Sequence, residues 1–264
     1  ADGTYKTGDV LTLSVAFNEA VTVGGVGTPQ IELLIGGETK NAAYTSGTGS
    51  STLIFTYVIE ADLEDTDGID VTGAIDTNSG TIQDADSADV DLAFTPPATG
   101  NINVDSVAPT VSGAVTAPGI GTYITGDVLT FTVTFDEVVN STNATLPLTI
   151  GSNARSAVLA TPSGTGTTTL LFEYTIAADD RDSGGIDVDP TAIVGSVTDD
   201  AGNQADFSGA TPPTTTGVLV NTAAVTGVTP SADGTYKTGD VLTLSVAFNE
   251  AVTVGGVGTP QIEL

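Results

Sequence analysis

The sequence contains no cysteine, histidine, methionine or tryptophan, and it has only 5 basic residues against 33 acidic ones. The missing histidine and cysteine exclude Ser-His-Asp and Cys-His catalysis, zinc sites built from those residues, thiol redox chemistry and disulfide bonds. The formal net charge of -28 argues against nucleic acid as a partner, because phosphate binding depends on clustered basic side chains. What remains is the chemistry of carboxylate, hydroxyl and backbone oxygen atoms.

Long apolar runs are absent as well. No segment approaches the roughly 18 apolar residues of a membrane span, so we expect no direct membrane insertion, and the first residues show no basic-then-apolar signal peptide. Hydrophobic residues nevertheless make up 39% of the 264 residues, and charged residues only 14%. This composition supports a packed core and is not that of a disordered acidic tail.

Repetition dominates the chain at two levels. Residues 1–33 recur without a change as residues 232–264, which gives a period of 231 residues. Within that period GTYKTGDVLTLSVAFNEAV, at residues 3–21, matches GTYITGDVLTFTVTFDEVV, at residues 121–139. Each period therefore holds two related units, which is typical of a tandem array.

The repeats predict the domain boundaries. We expect one domain at residues 1–106, a second at 107–221 and a partial third at 222–264. Relative to the second domain, the first lacks its opening strand in this chain. We interpret the sequence as a window on a longer repetitive polypeptide.

Alternating hydrophobicity predicts β-strands. From Val10 to Phe17 apolar side chains alternate with Thr, Ser and Ala, whereas no stretch shows helical spacing over three turns. We expect an all-β fold of tandem immunoglobulin-like β-sandwich domains, seven strands each, in an end-to-end array. The strands predicted for the second unit, named A to G, are Thr110–Thr116, Val128–Phe135, Leu146–Ile150, Ala154–Leu159, Thr169–Ile176, Ile193–Thr198 and Val218–Asn221.

This topology gathers acidic residues where the first unit meets the second. Successive strands alternate in direction, so the A–B turn, the E–F turn and the end of strand G share one pole, and the B–C and F–G turns share the other. The acids at the trailing pole of the first unit are Asp2, Asp9, Asp62, Glu64, Asp65, Asp67, Asp70 and Asp105. Those at the leading pole of the second unit are Asp136, Glu137, Asp199 and Asp200.

So many like charges repel strongly at low dielectric unless a positive charge lies between them. Ca²⁺ is suited to this role, because it accepts about six to eight oxygen ligands in irregular geometry. We therefore predict Ca²⁺ as the cofactor of this junction. The alternative is that the acids serve as turn formers and solubilising charges. The segment DTDGID, at residues 65–70, resembles a calcium-binding loop but lacks the full EF-hand spacing.

The junction between the second unit and the third differs in charge. Asn221 stands where the first unit has Asp105, and Asn249 replaces the acid that follows strand B. Fewer carboxylates predict weaker cation binding, so we expect stiff and loose junctions to alternate along the polymer. The candidate ligands on this side are Asp182, Asn221 and Glu250.

Four segments resemble one known family: VDSVAPTVSG at residues 104–113, GDVLTLSVAFNEAV at 8–21, STLIFTYVI at 51–59 and DDAGNQA at 199–205. They are similar to the bacterial immunoglobulin-like, cadherin-like extender repeats of giant calcium-dependent RTX and Lap-type adhesins. The resemblance implies sandwiches strung between an outer-membrane anchor and a distal binding tip, with Ca²⁺ near the linkers. It implies an extracellular stalk at the cell surface that serves adhesion and biofilm formation, with neighbouring repeats of the same polypeptide as partners.

The resemblance also implies roles for individual residues. Asp105 matches the linker acid, and Asp199 matches the acid of the F–G turn. Glu19, Glu137 and Glu250 match the acid after strand B. The F–G turn of the first unit departs from the pattern, because DADSADVD at residues 84–91 lacks the Gly-Asn pair.

Three other functions compete with the stalk. An enzyme is disfavoured, because a site copied every 231 residues is less common than a structural module so copied. A glycan-binding module would favour exposed aromatic platforms, and the chain has no tryptophan. A self-assembling filament, sheath or surface layer is the third, because residues 222–231 carry a spare strand A that one chain could donate to the next.

Overall fold

The computed structural model describes residues 1–161, 164–221, 223, 225–249, 251–255, 258 and 260–262. Over these residues the chain is built from β-strands, and its one helical element is the 3-10 turn Pro190–Ala192. The predicted all-β fold is confirmed. No helix in the described part has the length and apolar character needed to cross a bilayer.

The first unit forms two sheets. Its strands are β1 (Gly3–Tyr5), β2 (Val10–Gly25), β3 (Gln30–Ile35), β4 (Glu38–Ser46), β5 (Ser50–Val58), β6 (Glu64–Asp65), β7 (Asp70–Asp76), β8 (Gly80–Gln83) and β9 (Ile102–Asp105). The larger sheet has the order β7-β3-β4-β5-β2-β8, and the smaller has the order β1-β9-β6. Phe55 of the larger sheet and Val104 of the smaller are both fully buried in one core. The unit is therefore a β-sandwich.

The second unit repeats this arrangement. Its strands are β10 (Gly121–Tyr123), β11 (Val128–Val139), β12 (Thr145–Ile150), β13 (Asn153–Leu159), β14 (Thr167–Thr175), β15 (Arg181–Asp182), β16 (Asp187–Val188) and β17 (Val218–Asn221). The sheets have the orders β11-β14-β13-β12-β16 and β10-β17-β15. Phe131 and Phe172 lie fully buried in a core separate from that of the first unit.

Two of the predicted strands of the second unit differ from the structure. Residues 110–116 make only isolated bridges, among them Val111 to Phe135 and Thr116 to Thr132, because Gly113 between these two has a φ of 84°. Residues 193–198 likewise make isolated bridges. They follow the 3-10 turn that Asp189 caps, where Pro190 has no N–H for a sheet.

The third segment contributes a two-stranded ribbon. Strand β18 (Val225–Thr229) pairs antiparallel with β19 (Ser245–Phe248), and Val228 is 50% exposed. In register this pairing repeats the bridges of residues 110–116, since Thr229 lies opposite Ser245 as Thr116 lies opposite Thr132.

Candidate functional site

The first and second units meet across a linker that is fixed at both ends. Ser106 is buried, and its hydroxyl accepts from the N–H of Leu63 at 2.8 Å. The N–H of Ser106 donates to the carbonyl of Leu63 at 2.9 Å, and the carbonyl of Pro109 accepts from the N–H of Asp206 at 2.8 Å. Val107 and Ala108 lie between these two anchors, so the linker has little freedom to bend.

Asn203 connects the two units directly. This buried side chain lies in the F–G turn of the second unit, and its Nδ2 donates to the backbone oxygen of Asp105 at 2.8 Å. The same nitrogen donates to the carboxylate of Asp199, also at 2.8 Å. The predicted ligands of this turn are Asp199 and Asp200, and Asn203 is not among them. The Gly-Asn pair at residues 202–203 is nevertheless a signal for the turn, because Gly202 adopts the φ of 90° that the turn needs.

A local irregularity places two of the predicted acids at this junction. The pairing of β11 with β14 shifts between Thr134 and Val139, and Asp136 and Glu137 lie within that interruption. Such bulges redirect side chains away from the regular alternation of a strand. Asp136 and Glu137 therefore belong to the pole of the second unit and not to its sheet faces.

Glu137 is the most perturbed carboxyl group of the junction. Its pKa is raised to about 7, first by burial and then by the negative charges of Asp199, Asp105, Asp136 and Glu64. This interaction shows that acids from both units lie close together. Glu64, one of the acids predicted at this pole, lies opposite Asp105 in the β6–β9 pair, which explains its position.

Asp105 responds to the same surroundings. Its pKa is raised by burial first, and then by the carboxylate of Asp199 in the other unit; Glu64 adds a smaller contribution. Raised pKa values on both sides of the junction indicate negative charge that the folded chain does not fully offset.

The titration of Glu137 predicts a pH dependence in metal-free buffer. Its folded pKa of about 7 exceeds the ordinary value of 4.5. Between these values the folded state binds more protons than the unfolded state, so stability falls as pH rises. We expect the melting temperature to decrease over this interval, and Glu137→Gln to remove most of the decrease. An unchanged pH profile in the variant would assign the effect to other groups.

Asp136 has a structural role at the start of the second unit. Its carboxylate accepts from the N–H of Thr110 at 2.8 Å and from the hydroxyl of Thr110 at 2.5 Å. Burial alone would raise the pKa of Asp136, but these hydrogen bonds outweigh it and leave the pKa below its ordinary value. Asp200 is exposed and accepts from Asn140 Nδ2 at 2.7 Å.

The A–B turn of the first unit brings one positive charge to the junction. Lys6 Nζ lies 3.9 Å from the carboxylate of Asp9, which also accepts from the N–H of Lys6. A Cβ built on Gly202 would lie 3.6 Å from Lys6 Cδ, so this side chain reaches the second unit. Asp62 and Asp67 are both exposed, and Asp62 lies beside the linker, where its N–H donates to Ser106.

Asp65 and Asp182 occupy equivalent positions and hold turns in place. Asp65 accepts from the N–H groups of Gly36, at 2.7 Å, and Gly68, at 2.9 Å. Asp182 accepts from Gly151 at 2.7 Å and from two further glycine N–H groups. Gly36 has a φ of 56°, and a Cβ there would lie 2.0 Å from the carbonyl of Glu64, so only glycine fits this turn.

The second junction differs in charge at the corresponding pair of residues. Arg181 lies opposite Asn221 in the β15–β17 pairing, as Glu64 lies opposite Asp105 in the first unit. The guanidinium of Arg181 donates to Asn221 Oδ1 at 3.4 Å. One base and one amide thus replace two acids. Glu250, the remaining predicted ligand, lies outside the described residues.

The fit to a metal ion is incomplete. Among the described residues, no three Asp or Glu side chains are already arranged as a group that could hold one. The chain brings carboxylates of both units to one place, yet Asp199 and Asp136 already accept two or more hydrogen bonds each. A metal ion at this place would have to compete with these hydrogen bonds for Asp199 and Asp136.

Comparison with known proteins adds little. Among solved structures, the chain is similar to a marsupial T cell receptor, with 14% sequence identity over 88% of this chain and 75% of that chain, at a TM-score of 0.22. A TM-score this low carries no argument about fold or function. No family model matches the sequence, and a search of curated proteins found no match.

Proposed function

We propose that the chain is part of an extracellular stalk, a tandem extender of the kind found in bacterial surface adhesins. The observation that carries the proposal is the junction, where two anchored residues flank a two-residue gap and Asn203 bonds across to Asp105. A stalk needs joints that resist bending, and this joint has a short span and direct bonds between units. The function then lies in length and stiffness, which project a distal binding tip.

We propose Ca²⁺ as the counter-charge of the first junction. The raised pKa values of Glu137 and Asp105 support this, because they reflect burial and repulsion among the carboxylates of the junction. Lys6 brings one positive charge to the junction, and it lies beside Asp9. A bound cation would supply positive charge between the units. Asp105 and Glu137 are the best candidate ligands, because burial and the negative charge of Asp199 raise the pKa of both carboxyl groups.

The second junction is proposed to be independent of calcium. Arg181 and Asn221 occupy the positions of Glu64 and Asp105, so the negative charge that a cation would offset is smaller there. The F–G turn of the first unit, at residues 84–91, also has no counterpart of Asn203. A third unit with the sequence of the first would therefore contact the second unit without the hydrogen bond that Asn203 makes at the first junction.

Thermal melting tests whether Ca²⁺ binds to the folded chain. At free Ca²⁺ tenfold to a hundredfold above Kd, binding to the folded state contributes about 1.4 to 2.7 kcal/mol, which raises the melting temperature of a unit of this size by roughly 5 to 10 °C. We expect this rise with millimolar Ca²⁺ and its reversal by EGTA. Equal melting curves under both conditions would leave the acids as turn formers and solubilising charges.

A further inference from the structure

The second unit contains two Asn-X-Thr sequons that the stalk does not use. They follow strand β11 directly, with NST at residues 140–142 and NAT at residues 143–145. A sequon of this type is the acceptor of an N-linked sugar when its asparagine lies at the surface. The structure distinguishes the two sequons by the hydrogen bonds of their asparagine side chains.

Both ends of the Asn140 amide are engaged within the unit. Asn140 Nδ2 donates to the carboxylate of Asp200 at 2.7 Å, and its Oδ1 accepts from the N–H of Gly166 at 2.9 Å. The backbone of Asn140 also exchanges two hydrogen bonds with Thr198, at 2.6 Å and 3.0 Å. A sugar on Nδ2 would compete with Asp200 for this place, so the folded unit opposes modification of Asn140.

The side chain of Asn143 is arranged differently. It is exposed, and its Oδ1 accepts from the N–H of Ser196 at 3.1 Å. Within the part of the chain that the structure describes, Nδ2 of Asn143 has no hydrogen-bond partner. Gly195 permits the close approach of the two segments, because its φ is 113° and a Cβ there would lie 2.7 Å from the carbonyl oxygen of Asn143. The amide is therefore held by its oxygen, and its nitrogen is available.

An exposed apolar patch lies beside Asn143. Thr145 pairs with Val158 on one side and with Val194 on the other, so these three side chains share the outer face of the sheet. Val158 is 57% exposed and Val194 is 63% exposed. Asn143 lies on the same side as Thr145, because Ala144 between them is buried. Two residues of extended chain span about 7 Å, so a sugar ring on Asn143 can contact the patch.

We propose that Asn143 is the attachment site of an N-linked sugar whose first residue covers Val158 and Val194. The donor is a glycosyl phosphate, carried on a lipid or on a nucleotide, and a separate transferase moves the sugar. Asn143 Nδ2 loses one proton to a base of the transferase and forms a bond to the anomeric carbon. The bond from that carbon to the phosphate oxygen breaks, and the phosphate leaves with the electron pair. The inference goes beyond the calcium-stiffened stalk and does not depend on it.

The packing of the NAT sequon sets the order of modification and folding. Ala144 is 1% exposed, and the N–H of Thr145 donates to the carbonyl of Val194 at 2.8 Å. A transferase cannot bind this segment as an extended peptide once β12 has paired, so the sugar is attached before the second unit folds. Folding then disfavours chains with a sugar on Asn140, because that amide is bonded to Asp200 in the native unit.

Mass spectrometry of the full-length chain, isolated from the cells that make it, tests the site directly. Peptides that span residues 136–150 are fragmented by electron transfer, which leaves a sugar on its residue. We expect occupancy at Asn143 to exceed that at Asn140 by about tenfold or more, since displacing the Asn140 amide breaks two hydrogen bonds. A single hexose would assign a nucleotide-linked donor, and an oligosaccharide would assign a lipid-linked one. A bare Asn143, or equal occupancy of both asparagines, would overturn the proposal.

Substitutions at the third position of the sequon separate enzymatic transfer from chemical glycation. Thr145→Ser keeps the sequon and should retain the sugar, whereas Thr145→Ala should lose it although Asn143 is unchanged. Asn140→Gln is the matched control, because it removes the other sequon and should leave the sugar on Asn143. A sugar that persists on Asn143 in the Thr145→Ala chain would contradict transfer by a sequon-reading enzyme.

The melting temperature shows whether the sugar covers the apolar patch. The wild-type chain made in cells without the transferase should melt roughly 2 to 4 °C below the sugar-bearing chain, because apolar surface returns to water. In the variant Val158→Thr, Val194→Thr the patch is polar, and chains with and without the sugar should melt alike. The same difference in both backgrounds would show that the sugar does not contact these two side chains.

Discussion

Replacing Asp180 by alanine should destabilise the second unit by about 3 to 5 kcal/mol, since this removes one partner of a buried ion pair. Asp180 is fully buried and accepts from Arg155 Nε at 2.7 Å, from the hydroxyl of Tyr174 at 2.6 Å and from the N–H of Ala177 at 2.8 Å. Burial alone would raise the pKa of Asp180, but these partners hold it below its ordinary value. The loss is a large part of the stability of a domain.

Amide hydrogen exchange read by mass spectrometry would measure this loss unit by unit. Protection should fall in residues 107–221 and persist in residues 1–106. Asp179→Ala is the matched control, because Asp179 contacts the same guanidinium at 2.8 Å with its side chain 72% exposed. Exposed pairs contribute up to about 1 kcal/mol. Similar losses of stability in both variants would mean that the burial of Asp180 adds nothing to the stability of the second unit.

The second large effect concerns calcium. The double variant Asp105→Asn, Glu137→Gln should abolish the calcium-dependent rise in melting temperature while both units remain folded. The substitutions remove two negative charges, one from each side of the junction, and retain similar side-chain size. Without calcium the variant should melt above the wild type near pH 7, because burial of the Glu137 carboxylate and its repulsion by Asp199 are gone.

Two neighbouring carboxylates serve as the control for that experiment. Asp62 and Asp67 are exposed and belong to the same E–F turn region of the first unit. Asp62→Asn, Asp67→Asn lowers the charge equally, so a general screening effect of calcium would respond to it as well. If this variant loses the calcium response and Asp105→Asn, Glu137→Gln keeps it, the proposed ligands are wrong.

The strands of the sheets were predictable because one face of each is buried. The alternation that predicts Val128–Phe135 also appears in the structure as alternating burial along β11. Residues 110–116 and 193–198 pack by isolated bridges, and their sequence pattern does not distinguish this from a ladder. Their irregularity depends on Gly113 and on the turn capped by Asp189, which act on the backbone and not on hydrophobic periodicity.

The junction was predictable only in outline. Topology alone brought Asp105, Glu137 and Asp199 together, because turns that share a pole must meet the next unit. The roles of the individual acids could not be predicted from the sequence, since an aspartate that caps a glycine turn and one that binds a cation have the same side chain. Asp65 illustrates this, with both carboxylate oxygens on backbone N–H groups. Asn203 was missed because it is neutral.

Small-angle scattering of the full-length chain in EGTA, and then in millimolar Ca²⁺, tests whether a cation stiffens the first junction. We expect a longer mean end-to-end distance and a narrower distribution of lengths with calcium, at concentrations where light scattering shows a single chain. The Asp105→Asn, Glu137→Gln variant should show no such change. Identical scattering of the wild-type chain under both conditions would contradict the claim that a cation stiffens the junction.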